Sequence, residues 1–226
     1  MKKLLVMALT LLLSGAVQAQ MDVTRFLGIP VDGSKSEMIR QLKEKGFRST
    51  KYDNEILEGE FNGTEVQVFI VTNRNKVCRI MVADANSVNE SDIKIRFNRL
   101  CSQFESNPNY ISPQDQTIPE DEKISQEMTI NKKRYQATFF QKPTTKDSLI
   151  IAAQITPTLV AKYTKEQLAD ITDDILSEVG PLANKLAVKH AIKKSVWFAI
   201  SDKSFGQYQL FLYYDNEYNR ANGEDL

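Results

Sequence analysis

Apolar positions along this chain change their period several times, and each change marks an element. In "SKSEMIRQLKEKGF", Met38, Ile39 and Leu42 fall on one helical face. Ser34 is placed to cap that helix, with Glu37 closing a capping box, and Gly46 ends it by taking the left-handed conformation. The period then drops to two. Leu57 and Phe61 alternate with Glu58 and Glu60, and Asn62-Gly63 is the dipeptide of a tight hairpin. "TEVQVFIVT" puts Val66, Val68 and Ile70 on one face, "TNRNK" turns, and "KVCRIMVAD" points Cys78, Ile80 and Val82 inward. This is an antiparallel meander.

A helical stripe of Ile93, Phe97, Leu100, Cys101 and Phe104 follows, stopped by Asn107-Pro108. "SNPNYISPQDQTIPEDE" is rich in proline and poor in apolar residues, so 108–122 reads as a linker. "KISQEMTINKKRYQATFFQKPTTKDSLIIAAQIT" reads as three more strands, turning at Asn131–Lys133 and Pro143–Asp147. "TKEQLADITDDILSEVG" reads as a helix with a Thr164/Gln167 capping box and a stripe of Leu168, Ile171, Ile175 and Val179. Gly180-Pro181 should break it, and "PLANKLAVKHAIKK" adds a short helix. "SVWFAIS" and "GQYQLFLYY" make a last hairpin.

These elements predict an α+β fold of antiparallel meanders with helices on one side. Two strand-strand-strand-helix units, 20–107 and 123–226, flank the linker and end in a C-terminal hairpin. The pattern allows one continuous domain or two, and one sheet or two.

Before the first unit, Lys2 and Lys3 precede the apolar run "LLVMALTLLL", too short to span a bilayer, and "VQA" ends at Ala19. Residues 1–19 therefore read as a signal peptide. The mature chain is expected to be exported, periplasmic or extracellular, and not inserted in the membrane. The full chain's 29 basic and 29 acidic residues leave a formal charge of zero, and removal of Lys2 and Lys3 makes the mature chain slightly acidic. That balance offers no basic surplus for nucleic acid.

Catalytic residue types are sparse. The single histidine, His190, sits in the basic helix end "VKHAIKK" and reads as a surface residue. Two cysteines and one distant histidine do not make a zinc site, and no glycine-rich phosphate loop is present. Neither a cofactor nor a metal is expected. The C-terminal "YYDNEYNRANGEDL" has calcium-loop oxygens in part, but Arg220 stands where the loop needs glycine. That tail is expected to leave the last strand for water, so truncation from Asn219 should leave the melting temperature nearly unchanged. Cys78 and Cys101 face the same apolar layer, and export makes a disulfide between them possible. A disulfide is the expectation, with two buried thiols as the alternative.

The same tail resembles an ending shared by uncharacterised secreted proteins of the Bacteroides group. "FLGIPVDGSKSEMIRQLKEKGF" resembles the opening of that family. The resemblance implies an envelope or secreted location and no particular activity. A helix followed by a meander also resembles, at fold level, the beta-lactamase inhibitor proteins and outer-membrane assembly lipoproteins.

Aromatic residues on nominal outer strand faces point to binding: Phe69, Phe140, Phe211 and Tyr213 lie opposite the apolar face of their strands. The expectation is a non-enzymatic binding or protein-interaction module of the cell envelope, with an unidentified protein or glycan partner. The alternatives are a hydrolase of glycans or peptides working through paired carboxylates, and an inhibitor of a secreted enzyme.

Overall fold

The structure, a computed structural model, describes residues 22–169 and 172–221. The expected signal peptide and the last five residues lie outside that range, as do Asp170 and Ile171. The chain divides into two compact units. One comprises Val23–Gln141 with the chain from Lys193 onward, and the other takes in Lys142–Ile192.

The first unit is built on one eight-stranded antiparallel sheet. A small hairpin, β1 (Arg25–Phe26) and β2 (Ile29–Pro30), precedes helix α1 (Lys35–Glu44). Strands β3 (Arg48–Ser49), β4 (Leu57–Phe61), β5 (Thr64–Asn73) and β6 (Lys76–Asp84) form the first meander. Helix α2 (Glu90–Ser106) leads to β7 (Tyr110–Ile111), a short helix α3 (Ile124–Ile130) and β8 (Gln136–Gln141). Strands β9 (Ser195–Asp202) and β10 (Tyr208–Asp215) complete the sheet. The order across it is β3-β4-β5-β6-β10-β9-β8-β7. Each half is therefore a helix followed by four antiparallel strands, and the last strand of one half pairs with the last strand of the other.

Alternation drives one sheet face into the core. Val66, Val68, Ile70, Ile80, Val82, Phe139, Val196, Phe198, Leu210 and Leu212 join one apolar cluster with Met38 and Leu42 of α1 and Ile93, Phe97, Leu100 and Phe104 of α2. Each such side chain contributes about 1.5–3 kcal/mol by leaving water. Rings interlock there: Phe97 meets Phe198 at 4.9 Å, Phe104 stacks on Phe139 at 4.8 Å, and Phe26 of the first hairpin meets Tyr214 at 4.8 Å. The helices of this unit share one side of the sheet, as the stripes require. Sequence signals at the turns hold too. Asn62 and Gly63 take φ of 54° and 69°, and Ser34 Oγ accepts from Glu37 N, while the Glu37 carboxylate accepts from Arg40 and Gln41 and leaves the expected capping box half-formed. Gly59 is glycine for a different reason: a Cβ there would stand 2.7 Å from the Phe47 ring.

Asp84 also points inward, where alternation after Ile80 and Val82 places it. Arg96 of α2 meets it with two hydrogen bonds, Nη2 to Oδ1 at 3.0 Å and Nε to Oδ2 at 3.2 Å, and both side chains are buried. Removing either partner would strand a buried charge, typically a loss of about 3–5 kcal/mol.

The second expected strand triplet is corrected. Only its middle member, β8, is a strand. "KISQEMTI" forms α3, with Ile124 and Met128 one helical turn apart and both packed on the core. "TKDSLIIAAQITPTLVAK" is helix α4 (Thr145–Lys162), opened by a capping box in which Thr144 and Asp147 satisfy each other's backbone. Its run from Leu149 to Ala153 is apolar at every position, which hides the period; the capping box and the length were the deciding signals. Helix α5 (Lys165–Ala169) keeps the Thr164/Gln167 capping box, and α6 (Asp173–Ile192) runs straight through Gly180-Pro181. A proline forfeits one backbone bond. Here the packing of Ile175 and Val179 with Ile151, Ile155 and Leu159 outweighs that loss. His190, expected at the surface, is buried in the last turn of α6.

The expected linker is also corrected: 108–122 is bound into the sheet unit. The Asn98 carboxamide donates to Ile118 O and accepts from Ile118 N, both at 2.8 Å. The Gln116 carboxamide does the same to Thr138, at 2.9 and 2.7 Å. Side-chain amides thus stand in for a missing strand, which proline-rich sequence could not supply. The unit boundaries fall at Lys142 and Lys193 instead. At the equivalent place in the first half, β4 and β5 are joined by Asn62-Gly63 alone. The helical unit is an insertion between the hairpin-paired strands β8 and β9, whose neck is closed by Gln141 N donating to Lys194 O at 3.1 Å.

The tail is docked. Asn216 is fully buried; its side chain donates to Val31 O at 2.7 Å and its N–H to Cys78 O at 2.9 Å. Asn219 donates to Asp32 Oδ1 at 2.7 Å and Val77 O at 2.8 Å, and its carbonyl accepts from Asn73 at 3.0 Å. Truncation from Asn219 therefore removes these three hydrogen bonds, together with Asn219 N–H to Asn216 O and Arg220 to Glu217, contrary to the expectation of a solvated end. The chain's opening and its ending, singled out by resemblance, meet in space through these contacts.

Because the neck is already hydrogen-bonded, replacing Lys142–Ile192 by Asn-Gly is expected to leave the sheet unit folded. Circular dichroism should show an antiparallel-sheet spectrum and cooperative melting; a chain without a melting transition would contradict the insertion account.

Candidate functional site on the outer sheet face

Opposite the core, the same alternation turns a second set of side chains outward. Cross-strand register aligns Phe69 with Met81, Met81 with Tyr213, Tyr213 with Trp197, and Trp197 with Thr138, in one row across β5, β6, β10, β9 and β8. The row is half-buried. The Trp197 and Tyr213 rings stack at 3.9 Å and 15°. Beside them, the Arg79 guanidinium carbon lies 5.1 Å from the centre of the Tyr213 ring and 5.5 Å from that of Trp197, within cation–π range.

Asp215 organises this group. Its carboxylate accepts from Arg79 Nε at 2.5 Å, Arg79 Nη2 at 2.9 Å and Trp197 Nε1 at 2.8 Å. Its backbone carbonyl accepts from the Thr24 hydroxyl. The hydrogen bond to Asp215 raises the affinity of Arg79 for its proton above the ordinary guanidinium range. Burial pushes the Tyr213 phenol up as well. Three donors on one carboxylate leave Asp215 a structural acceptor, positioned to fix Arg79 and Trp197 as rigid surface features.

Of the residues singled out in the sequence, Phe69 and Tyr213 lie in the row. Phe211 lies one row away, between Ala83 and Ala199, with Lys203 Nζ 5.1 Å from its ring centre. Phe140 lies on the same outer face, one row to the other side, paired with Ser195 and Ile111 near the β7 edge. Trp197, Met81 and Arg79 were missed. Alternation in "SVWFAIS" was the available signal for Trp197: Val196, Phe198 and Ile200 are buried, so Trp197 must face out.

Cys78 and Cys101 are free thiols, which corrects the expected disulfide. The cause is a bulge. The β5–β6 register shifts between Val71 and Thr72, whose partners are Arg79 and Val77, leaving Cys78 unpaired. Its sulfur turns to Val71 O at 3.5 Å, while the buried Cys101 sulfur contacts Gln116 O at 3.7 Å. Strict alternation from Ile80 had carried Cys78 inward.

A shallow depression of about 560 Å³ lies elsewhere, lined by Pro119, Asp121, Glu122, Lys123, Gln126, Glu127 and Lys133. Its Glu122 carboxylate already accepts from Lys133 and Tyr135, which hold it below its usual range. Among the described residues, no three His, Cys, Asp or Glu side chains are placed to hold a metal ion. No protein-family model, curated protein or solved structure matches the chain.

Burial pushes the Cys101 thiol up to about 12 and raises that of Cys78. The thiolate is the reactive form, so a thiol reagent at pH 8 is expected to modify native protein slowly. It should find two thiols per chain after denaturation without reductant. Fewer than two would restore the disulfide.

Proposed function

We propose that this protein is an exported, non-enzymatic protein-interaction module of the cell envelope, and that the outer sheet face is its docking surface. The observation that carries the reading is the aligned row of Phe69, Met81, Tyr213 and Trp197 on the face opposite the core. Large aromatic side chains, methionine and arginine are the residue types enriched where proteins meet, and the ones whose loss most weakens binding. Here Asp215 holds Arg79 and Trp197 in place before any partner arrives, so little side-chain entropy remains to be lost on association. The signal-like first nineteen residues and the resemblance of both chain ends to secreted Bacteroides-group proteins support the envelope location.

The test is site-specific photocrosslinking in the producing cell. A benzophenone side chain in place of Phe69 or Met81 is expected to give a discrete protein adduct in the envelope or the medium. The same group in place of Tyr52, which is 93% exposed in a loop, serves as the control. No adduct from the sheet positions, or the same adducts from Tyr52, would contradict the reading.

A further inference from the structure

From the charges beside this row, we infer that the partner presents a basic segment, an extended apolar stretch followed directly by lysine or arginine. The inference rests on the docking reading above. It starts from β4 and β5, which border the row. Glu58 and Glu60 point outward because Leu57 points in, and Glu65 points outward because Val66 points in. All three are exposed.

Register sets Glu60 directly opposite Glu65. Like charges facing each other across an antiparallel pair are destabilising. No ion pair to Glu58, Glu60 or Glu65 is formed among the described residues. Arg48 stands opposite Glu58 on β3 without forming one, and Glu60 faces only Glu65. Of the cations beside the row, Arg79 is paired with Asp215, and Lys203 lies over Phe211.

The face thus combines an apolar row with a flank of exposed glutamates that form no ion pair among the described residues. Gln67 of β5 pairs with Glu58 and with Ala83, so carboxylate and aromatic positions lie in adjacent rows of the same sheet. An extended segment lying along the row would set its apolar stretch on Trp197, Met81 and Phe69 and carry its basic end past β5 onto β4. Its cations would then lie against the glutamates. Opposed carboxylates that cost stability in the free protein would become favourable in the complex, and the attraction would also speed encounter.

Trp197 is the only tryptophan and reports on the row directly. The probe is a short peptide with a valine stretch followed by lysines, and its counterpart has glutamate in place of lysine. The lysine peptide is expected to shift Trp197 emission saturably, with the response weakening as salt is raised, and the glutamate peptide to leave it unchanged. The combined Glu58→Gln, Glu60→Gln and Glu65→Gln variant should bind the lysine peptide about tenfold more weakly. Its melting temperature should equal or exceed the parent's, which separates lost binding from lost folding. Phe69→Ala should weaken the same response.

Equal response to both peptides, no response to either, or indifference to the glutamine substitutions would each overturn the inference. So would a concentration-dependent dimer with the same emission shift in the absence of peptide, which would make a second copy the occupant. These failures leave the photocrosslinking adduct at Phe69 untouched. Absence of that adduct is what removes the docking reading itself.

Discussion

The sheet closes at its centre with its last strand. β10 lies between β6 and β9, so the pairing that joins the two halves cannot form until the end of the chain is in place. This seam is antiparallel from Phe211–Ala83 to Asp215–Arg79. Slipping it by one residue would turn Leu212 and Tyr214 out of the core and bring Tyr213 in. Apolar alternation resists that slip along the strand. At its end the Asp215–Arg79 pair resists it with two hydrogen bonds that require this register.

The residues after the seam extend the same logic with polar groups. Asn216 and Asn219 tie the chain end to Val31, Asp32 and Val77, while Thr24 reaches Asp215 from the first hairpin. Asn98 and Gln116 fasten the proline-rich connection, and the Gln141 side chain binds Arg25 N at 3.1 Å and Arg25 O at 3.0 Å. A primary amide carries both a donor and an acceptor, so it can match a backbone residue as a neighbouring strand would. This protein uses that property wherever its sequence cannot form a strand. It also blunts β8 beyond the short edge strand β7, where Gln116 occupies Thr138.

The first half was legible because its signals agree. The capping box, Asn62-Gly63 and clean period-two runs all name one structure, and the α2 stripe was read correctly down to Phe104. The second half was not. In "SLIIAAQITPTLVAK" the apolar residues run together at Leu149–Ala153, and neither period stands out until Thr144–Asp147 is given weight. Short β7 and the amide clamps depend on partners distant in sequence. For the outer face, alternation yielded Phe69, Phe140, Phe211 and Tyr213, but the cluster around Asp215 needed the β6–β10 and β9–β10 registers together. The Cys78 bulge interrupts alternation without any local sequence mark. His190 is buried although its neighbours are basic.

If the seam makes one folding unit of both halves, they must open together. Native-state hydrogen exchange on backbone amides of β4–β6 and β8–β10 measures this directly. The slowest amides of the two groups are predicted to share one opening free energy, with those of the β6–β10 seam among them. Two distinct free energies, one for each half, would show that the halves fold independently and that the seam is only a contact between them.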